Sequence, residues 1–501
     1  MNTLRLQNYR CFEDTGDIEL KPITYLLGAN SVGKSSFLKF FALLKQSLGV
    51  KLNGVFLWSD DDVDFKDFRN TVKDGEDEMT VSFTLCDVPL FKRRTLRRDV
   101  ISEINITMKI APKGDNNDYL KELYIEWGES QYPLSITIGF SNNISVEYIR
   151  CGNFILPEDE YGKNKPLAAI NIGLLPIILF KTSEYISDDV DFVEDYFLKC
   201  LDNSKDNRII RAIDILSLRN LSSRDKLLDF IANSSKNIKF RDNVDINYFI
   251  DLIVFSNLNN VLNSINIYLL NLAEQIHYVQ PLRAITRRYY RFQNYAVSEL
   301  DSDGTNLPMF FNSLPDEGRN DFNSWISSIL KVKFDIKPKD GFLELVHIDE
   351  NGKERNLIDV GFGFTQVLPI LVLIWKVVFL DNFVDKKKKR NLICKTHIIA
   401  IEQPELHLHP RLQAQFAELV AKAINECKSR GNKVYIIIET HSSTIINKSG
   451  ELIEKGELSK EDINVLIFNG TNEGLNSYVT PASFSTDGYI DNWPYGFFSG
   501  E

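Results

Sequence analysis

Three textures of apolar and polar positions follow one another along the chain. Residues 4–10 (LRLQNYR) alternate apolar with polar side chains, as a half-buried strand does, and residues 17–20 (DIEL) read as a second short strand. The run at 23–27 (ITYLL) is apolar throughout, which suits a buried strand, and a helical pattern follows at 37–44 (FLKFFALL). From about 79 to 155 the pattern becomes period-two and β-branched. Residues 79–85 (MTVSFTL), 104–110 (INITMKI), 123–127 (LYIEW) and 135–140 (SITIGF) predict four strands of an antiparallel meander that extends the first lobe.

Between about 165 and 275 apolar residues recur every three or four positions among many charges, as at 193–201 (VEDYFLKCL) and 265–273 (INIYLLNLA). That spacing predicts a helical insertion, too irregular and too short for a heptad coiled coil. Residues 276–300 return toward the body, and from 340 to the end strand and helix patterns alternate in the α/β manner. The expected organisation is an α/β head split by a long insertion. Residues 1–85 and 351–501 form its two parts, with a β-rich extension at 86–160, a helical insertion at 161–275 and a return segment at 276–350.

Composition narrows the class. The 501 residues are 44% hydrophobic and 25% charged, which is ordinary for a globular protein and enough for two or three domains. No stretch approaches 18 uncharged apolar residues, and the opening MNTLR lacks the apolar core of a signal peptide. A cytoplasmic protein without a membrane anchor is expected. The cysteines at 11, 86, 151, 200, 394 and 427 contain no Cys-x-x-Cys pair, which argues against a disulfide framework and a structural zinc site. A net charge of −11 argues against non-specific coating of nucleic acid and leaves room only for a local basic patch. The acidic stretch 59–64 (SDDDVD) reads as a solvated loop.

The loop between the buried strand and the first helix changes the picture. Residues 28–36 read GANSVGKSS, a P-loop in its proper setting. Gly28 and Gly33 let the backbone fold into a cup, with Asn30, Ser31 and Ser36 around it, whose N–H groups face phosphate oxygens. Lys34 offers a point charge to the β- and γ-phosphates, and the Ser35 hydroxyl is placed for Mg²⁺. A P-loop needs an acidic residue on a neighbouring strand, and the run 396–401 (THIIAI) ends in 402–410 (EQPELHLHP). Glu402 would take the metal, directly or through water. His407 and His409 beside Glu402 and Glu405 also invite a zinc reading, which their spacing does not favour.

The next apolar run, 433–438 (KVYIII), ends in 439–443 (ETHSS). His441 at its tip is placed to sense the γ-phosphate, and Thr440 with Ser442 would also serve as an N-cap loop. A second glycine turn, 359–369 (DVGFGFTQVLP), opens another apolar helix. Gly361, Gly363, Thr365 and Gln366 form a second phosphate-binding surface at a helix start. Two such surfaces make sense if one copy's P-loop and another's glycine turn close on one ATP, which implies a dimer formed around nucleotide.

The order GANSVGKSS, DVGFGFTQVLP, IAIEQPELHLHP, IIIETHS resembles ATP-binding-cassette ATPases of the branch that includes the structural-maintenance (SMC), RecF and OLD proteins. More narrowly it resembles the stand-alone bacterial ATPases of anti-phage systems of the Septu and PARIS types, which work beside a separate effector. The likeness extends to HYVQPLRAITRRYY at 277–290, DSDGTNLP at 301–308 and GYIDNWPYGFF at 488–498, and so covers most of the chain except roughly 85 to 270. It implies an ABC-type ATPase head that uses ATP and Mg²⁺, with Lys34 and Ser35 on phosphate and metal and Glu402 completing the metal site. It also implies His441 as the switch histidine and Gly361, Gly363, Thr365 and Gln366 reaching a partner's γ-phosphate. Arg10 resembles an N-terminal arginine that lies near the nucleotide in this branch.

Two departures qualify the resemblance. Gln403 stands where a glutamate usually orients the attacking water; an amide cannot accept its proton, so hydrolysis is expected to be slow or to use Glu405 as base. About sixty residues follow His441, too few for the nuclease domain that OLD proteins carry after their ATPase. The expected function is an ATPase that forms a homodimer or higher homo-oligomer around Mg-ATP and controls a separate effector, a nuclease or other toxic protein, in anti-phage defence. The alternative is a RecF- or SMC-like DNA-binding ATPase of repair or maintenance. Its candidate surface is Arg283, Arg287, Arg288 and Arg291, with the lysine-rich run at 386–390, against the plainer reading of arginines paired with nearby carboxylates.

Overall fold

A computed structural model describes residues 1–92, 95–114, 117–128, 131–142, 145–156, 166–169, 173–181, 186–187, 193–202, 219–234, 240–281, 283, 287–292, 297, 299–379, 396–470 and 476–491. The lysine-rich run at 386–390 and the tail at 492–501 lie outside the described residues. The chain divides into two compact units, Met1–Glu19 with Leu43–Glu274 and Leu20–Ala42 with Gln275–Glu501.

The first unit is built on an antiparallel sheet. β1 (Thr3–Tyr9), β2 (Phe12–Asp14) and β3 (Ile18–Glu19) come from the N-terminal residues. β5 (Met79–Lys92), β6 (Thr95–Lys113), β7 (Asn117–Trp127), β8 (Leu134–Phe140), β9 (Val146–Cys151) and β10 (Phe154–Ile155) form the predicted meander. The strands stand in the order β10-β9-β8-β7-β6-β5-β1-β2, with β3 paired to β1. Because β1 hydrogen-bonds β5 from Thr3 opposite Thr84 to Gln7 opposite Thr80, the first residues belong with the meander.

The stretch expected to be helical is mixed. It carries α2 (Val193–Cys200), α3 (Arg224–Ser234), α4 (Ile246–Ser256) and α5 (Leu258–Ala273). It also carries a three-stranded sheet of β11 (Leu167–Ala169), β12 (Ile177–Lys181) and β13 (Ile186–Ser187). A short apolar run such as 177–181 (IILFK) has no period that separates strand from buried helix. Two buried polar groups tie this region down. Asn266 bonds both the N–H and the carbonyl of Leu175, and Arg224 pairs with Asp251 at 2.9 Å, both side chains being under a tenth exposed.

The second unit has a parallel core. β4 (Ile23–Gly28) leads through the P-loop into α1 (Lys34–Ser47), whose residues up to Ala42 belong to this unit. β14 (Ile276–Val279), β19 (Thr396–Glu402), β20 (Lys433–Glu439) and β21 (Ile463–Gly470) complete the parallel order β14-β19-β20-β4-β21. β22 (Ser477–Phe484) and β23 (Ile490–Asp491) add antiparallel strands at the β21 side. β4 and β19 are buried at every position, as strands covered on both faces are.

A smaller antiparallel sheet comprises β15 (Tyr290–Arg291), β16 (Lys333–Lys339), β17 (Phe342–Ile348) and β18 (Glu354–Asn356). The helices of this unit are α6 (Leu307–Ser313), α7 (Asp316–Leu330), α8 (Phe362–Phe379), α9 (Pro410–Ser429) and α10 (Ser443–Glu454). At 18 residues, α8 is long and apolar enough by length and composition to cross a membrane, nearer to that limit than the sequence reading allowed. In the structure 78% of it is buried, as a core helix. Its Trp375 lies against Phe322 and donates to Asp321 Oδ2.

Candidate nucleotide site

The parallel strands end together, and their C-terminal ends carry the site. Gly28 closes β4 with φ +151°, and a Cβ there would lie 2.4 Å from the Phe468 carbonyl oxygen, so only glycine fits. Ser31 (φ 66°) and Gly33 (φ 94°) complete the cup, and Asn30 and Ser31 are exposed at its mouth. Lys34 is 3% exposed and folds back to donate to the carbonyls of Gly28 (3.0 Å) and Ala29 (2.6 Å). Burial lowers its pKa, and Glu439 and Glu405 oppose that shift. In this position the ammonium fills the cup it is expected to share with phosphate.

Beside the loop stand two carboxylates from adjacent strands. Glu402 on β19 is in register with Glu439 on β20. Ser35 Oγ donates to Glu439 Oε1 at 2.9 Å. Glu439 Oε2 is buried without a hydrogen-bond partner among the described residues, and burial pushes this carboxyl up to about 7. Glu402 is 4% exposed; its Oε1 accepts from Tyr278 Oη at 2.7 Å and lies 3.8 Å from Lys39 Nζ. Burial raises its pKa too, against the pull of Lys39, Tyr278 and Arg283.

The turn after β19 is strained and bonded to β20. Gln403 has φ 41°, and its N–H donates to the Glu439 carbonyl at 2.9 Å. Glu405 Oε2 accepts from Thr440 Oγ1 at 2.8 Å and Oε1 from the His441 N–H at 2.7 Å. Glu405 therefore braces the loop that carries His441, and each of its oxygens keeps a second lone pair. Thr440 and Ser442 behave as the cap reading expected: the Ser442 N–H donates to Thr440, and Ser442 Oγ caps α10 through the Ile445 N–H. The His441 ring reaches the surface, yet desolvation, with Lys34 second, holds its pKa down.

The glycine turn differs from expectation in what it exposes. Gly361 (φ 117°) and Phe362, 49% exposed, project at the start of α8. Thr365 and Gln366 are buried, with Thr365 Oγ1 donating to the Phe362 carbonyl and Gln366 Nε2 without a hydrogen-bond partner among the described residues. A side chain one turn into a helix whose other faces are apolar is drawn inward with them. Gly363 packs under the His407 carbonyl.

The basic segment does not form one surface. Arg288 pairs with Asp359 through both guanidinium Nη atoms, at 2.9 and 2.5 Å, as the charge-pairing reading expected. Arg287 and Arg291 are exposed. Arg283 is buried, and Nη2 donates to the Glu402 carbonyl at 2.8 Å. Its desolvation by the core removes it from any nucleic-acid surface. Arg10 belongs to the first unit, where its guanidinium donates to the Asn70 carbonyl and lies over the Phe65 ring.

The donors present suit a hard cation shared with phosphate. Ser35, Glu439 with its orphaned oxygen, and Glu402 offer oxygen donors, and Mg²⁺ typically takes one or two carboxylates plus substrate phosphates. A zinc site from the histidine cluster does not fit. Among the described residues no group of three His, Cys, Asp or Glu is placed to hold a metal. His407 packs edge-on to Phe362, and His409 Nδ1 caps α9.

The family described as AAA ATPase domain matches residues 1–446. The chain belongs to this family. A 90-residue stretch of the chain is 32% identical to Endonuclease GajA of Bacillus cereus (strain HuB5-5), spanning 17% of this chain and 12% of that protein. Among solved structures, the SMC head domain from Thermotoga maritima aligns at 9% identity and a TM-score of 0.36 over 96% of this chain and 98% of that one. The Smc head domain of Pyrococcus furiosus, bound to the C-terminal domain of ScpA, aligns at 11% identity and 0.36 over 96% of each. The fold of this AAA ATPase rests on its own strand order rather than on those distant likenesses.

Three residues of this site were not singled out for these places from the sequence. Glu439 opens the same ETHS run as His441, and its signal was a second apolar strand ending in a carboxylate beside the first. Tyr278 and Arg283 lie in the return segment and carried no such signal.

Proposed function

We propose that this AAA ATPase closes as a homodimer or higher homo-oligomer around Mg-ATP, hydrolyses it, and so controls a separate effector in anti-phage defence. The observation that carries the reading is the convergence of Lys34 and Ser35 with Glu402, Glu439 and the Glu405-braced His441 at the ends of three adjacent parallel strands. Bound Mg²⁺ would be held by Ser35 with Glu439 or Glu402 and would neutralise phosphate charge. Lys34 leaves the Gly28 and Ala29 carbonyls to pair with the β- and γ-phosphates, and the P-loop N–H groups orient them.

Gly361 and Phe362, presented at the start of α8, are the surface a second copy would use to reach the γ-phosphate. Because closure depends on the γ-phosphate, ATP favours the closed form and hydrolysis releases it. Gln403 cannot act as base, so turnover is slow, as suits a switch, and Glu405 is the neighbouring carboxylate that can take the water proton. The part match to a protein named an endonuclease supports a nuclease as the effector, with the chain working in the cytoplasm. The DNA-maintenance alternative is less favoured, since Arg283 is buried and Arg288 is paired.

Phosphate release and native mass, each measured with and without Mg-ATP, test the reading. Turnover with ATP-dependent assembly is expected. A monomer that neither binds nor hydrolyses ATP would overturn it.

A further inference from the structure

Arg283 stands apart from the other basic residues of its segment. It is 5% exposed, lies past the end of β14, and is anchored by Nη2 to the main-chain carbonyl of Glu402. Its Nε and Nη1 are buried with no hydrogen-bond partner among the described residues. Burial pulls the guanidinium down to about 10, while Glu405 and then Glu402 pull it back. It stays charged at neutral pH.

The nearest carboxylates do not take the two spare donors. Glu402 Oε1 receives Tyr278, and both Glu405 oxygens receive the switch loop. Buried donors left unmet are costly, and a catalytic role toward an incoming acceptor is one established reason for a native site to keep them. The Glu402 carbonyl that holds Arg283 belongs to the residue in register with Glu439, whose Oε1 takes the Ser35 hydroxyl, which puts the guanidinium beside the carboxylate pair at the phosphate end of the site.

We propose that Arg283 is the built-in cation of the hydrolytic centre. Held by the Glu402 main chain, it offers Nε and Nη1 to the oxygens on which charge collects as the γ-phosphoryl group passes to water. This rests on the ATPase reading above. In that step the water oxygen bonds to phosphorus and one proton leaves to solvent. The bond from phosphorus to the bridging oxygen breaks, and its electron pair stays on ADP. With Gln403 in place of a carboxylate, positive charge at the phosphoryl oxygens rather than proton abstraction carries the acceleration. Arginine suits the task because its planar fork holds a carbonyl on one arm while presenting donors on the others.

The test compares the wild-type chain with Arg283→Gln, Arg283→Lys and Lys34→Ala. Its readouts are steady-state turnover, affinity for a fluorescent ATP analogue with Mg²⁺, capture of ADP with aluminium fluoride, and thermal melting. Arg283→Gln is expected to keep analogue affinity within about threefold while kcat falls by about 10²-fold or more and fluoride capture is lost. Arg283→Lys is expected to recover part of both, and it carries the same test should the glutamine variant melt early. Wild-type turnover with normal turnover and capture in a folded Arg283→Gln variant overturns the role of Arg283 alone. So does loss of analogue affinity in step with turnover. A wild type that turns over no ATP, indistinguishable from Lys34→Ala, overturns the ATPase reading and this role with it.

Discussion

The Ser35 hydroxyl donates to Glu439 Oε1 at 2.9 Å, joining the P-loop to the end of β20 across 404 positions of sequence. Glu439 is thereby the carboxylate in contact with the metal-directed hydroxyl, whereas Glu402, beside it in register, faces Tyr278 and Lys39.

Glu439 gives the nucleotide-free protein a distinctive pH dependence. Its pKa is raised in the fold to about 7, above the ordinary 4.5, so the folded state holds a proton that the unfolded chain releases. Stability from this group is full below about 4.5 and is lost as pH rises toward 7, by roughly 3 kcal/mol in all. Melting temperature measured from pH 5 to 8 should fall less steeply in Glu439→Gln than in the wild type. Parallel curves would contradict the assignment.

Glu405 braces the loop that carries His441. Glu405→Ala leaves the Thr440 hydroxyl and the His441 N–H without their acceptor, at a cost of about 1–3 kcal/mol. Turnover should fall with the loss of a fixed His441, and His441→Ala in that background should add little. Fully additive losses would show that the two residues act separately.

An amide at Gln403 predicts a slow chemical step. Gln403→Glu supplies a group able to accept the water proton and should raise the single-turnover rate by about tenfold or more. Unchanged or slower hydrolysis at unchanged ATP affinity would mean that the amide is not limiting.

In the first unit, the Arg224–Asp251 pair is buried and Asp251 also accepts from the Asn153 N–H. Arg224→Ala strands a buried carboxylate and should cost about 3–5 kcal/mol, read as a lowered denaturant midpoint. A change under 1 kcal/mol would contradict the pair's burial.

What the sequence made legible was local. The P-loop and the strand leading into Glu402 each announce themselves within ten residues, because glycine at positive φ and an apolar run ending in a carboxylate are constraints of the segment itself. The antiparallel meander was legible for the same reason, its period of two being set residue by residue. Glu439 against Ser35, Tyr278 against Glu402 and Arg283 on the Glu402 carbonyl are products of strand order, which no single segment encodes. Burial likewise reassigned Thr365, Gln366 and Arg283: an arginine in a basic run looks like surface until the strand beside it is known.

The central claim is that nucleotide at the P-loop drives assembly and is consumed there. Native mass and ATP turnover of the purified chain, with and without Mg-ATP and beside Lys34→Ala, test it most directly. ATP-dependent assembly with slow turnover, both lost in Lys34→Ala, is the predicted result; an unchanged monomer without ATP binding would contradict it.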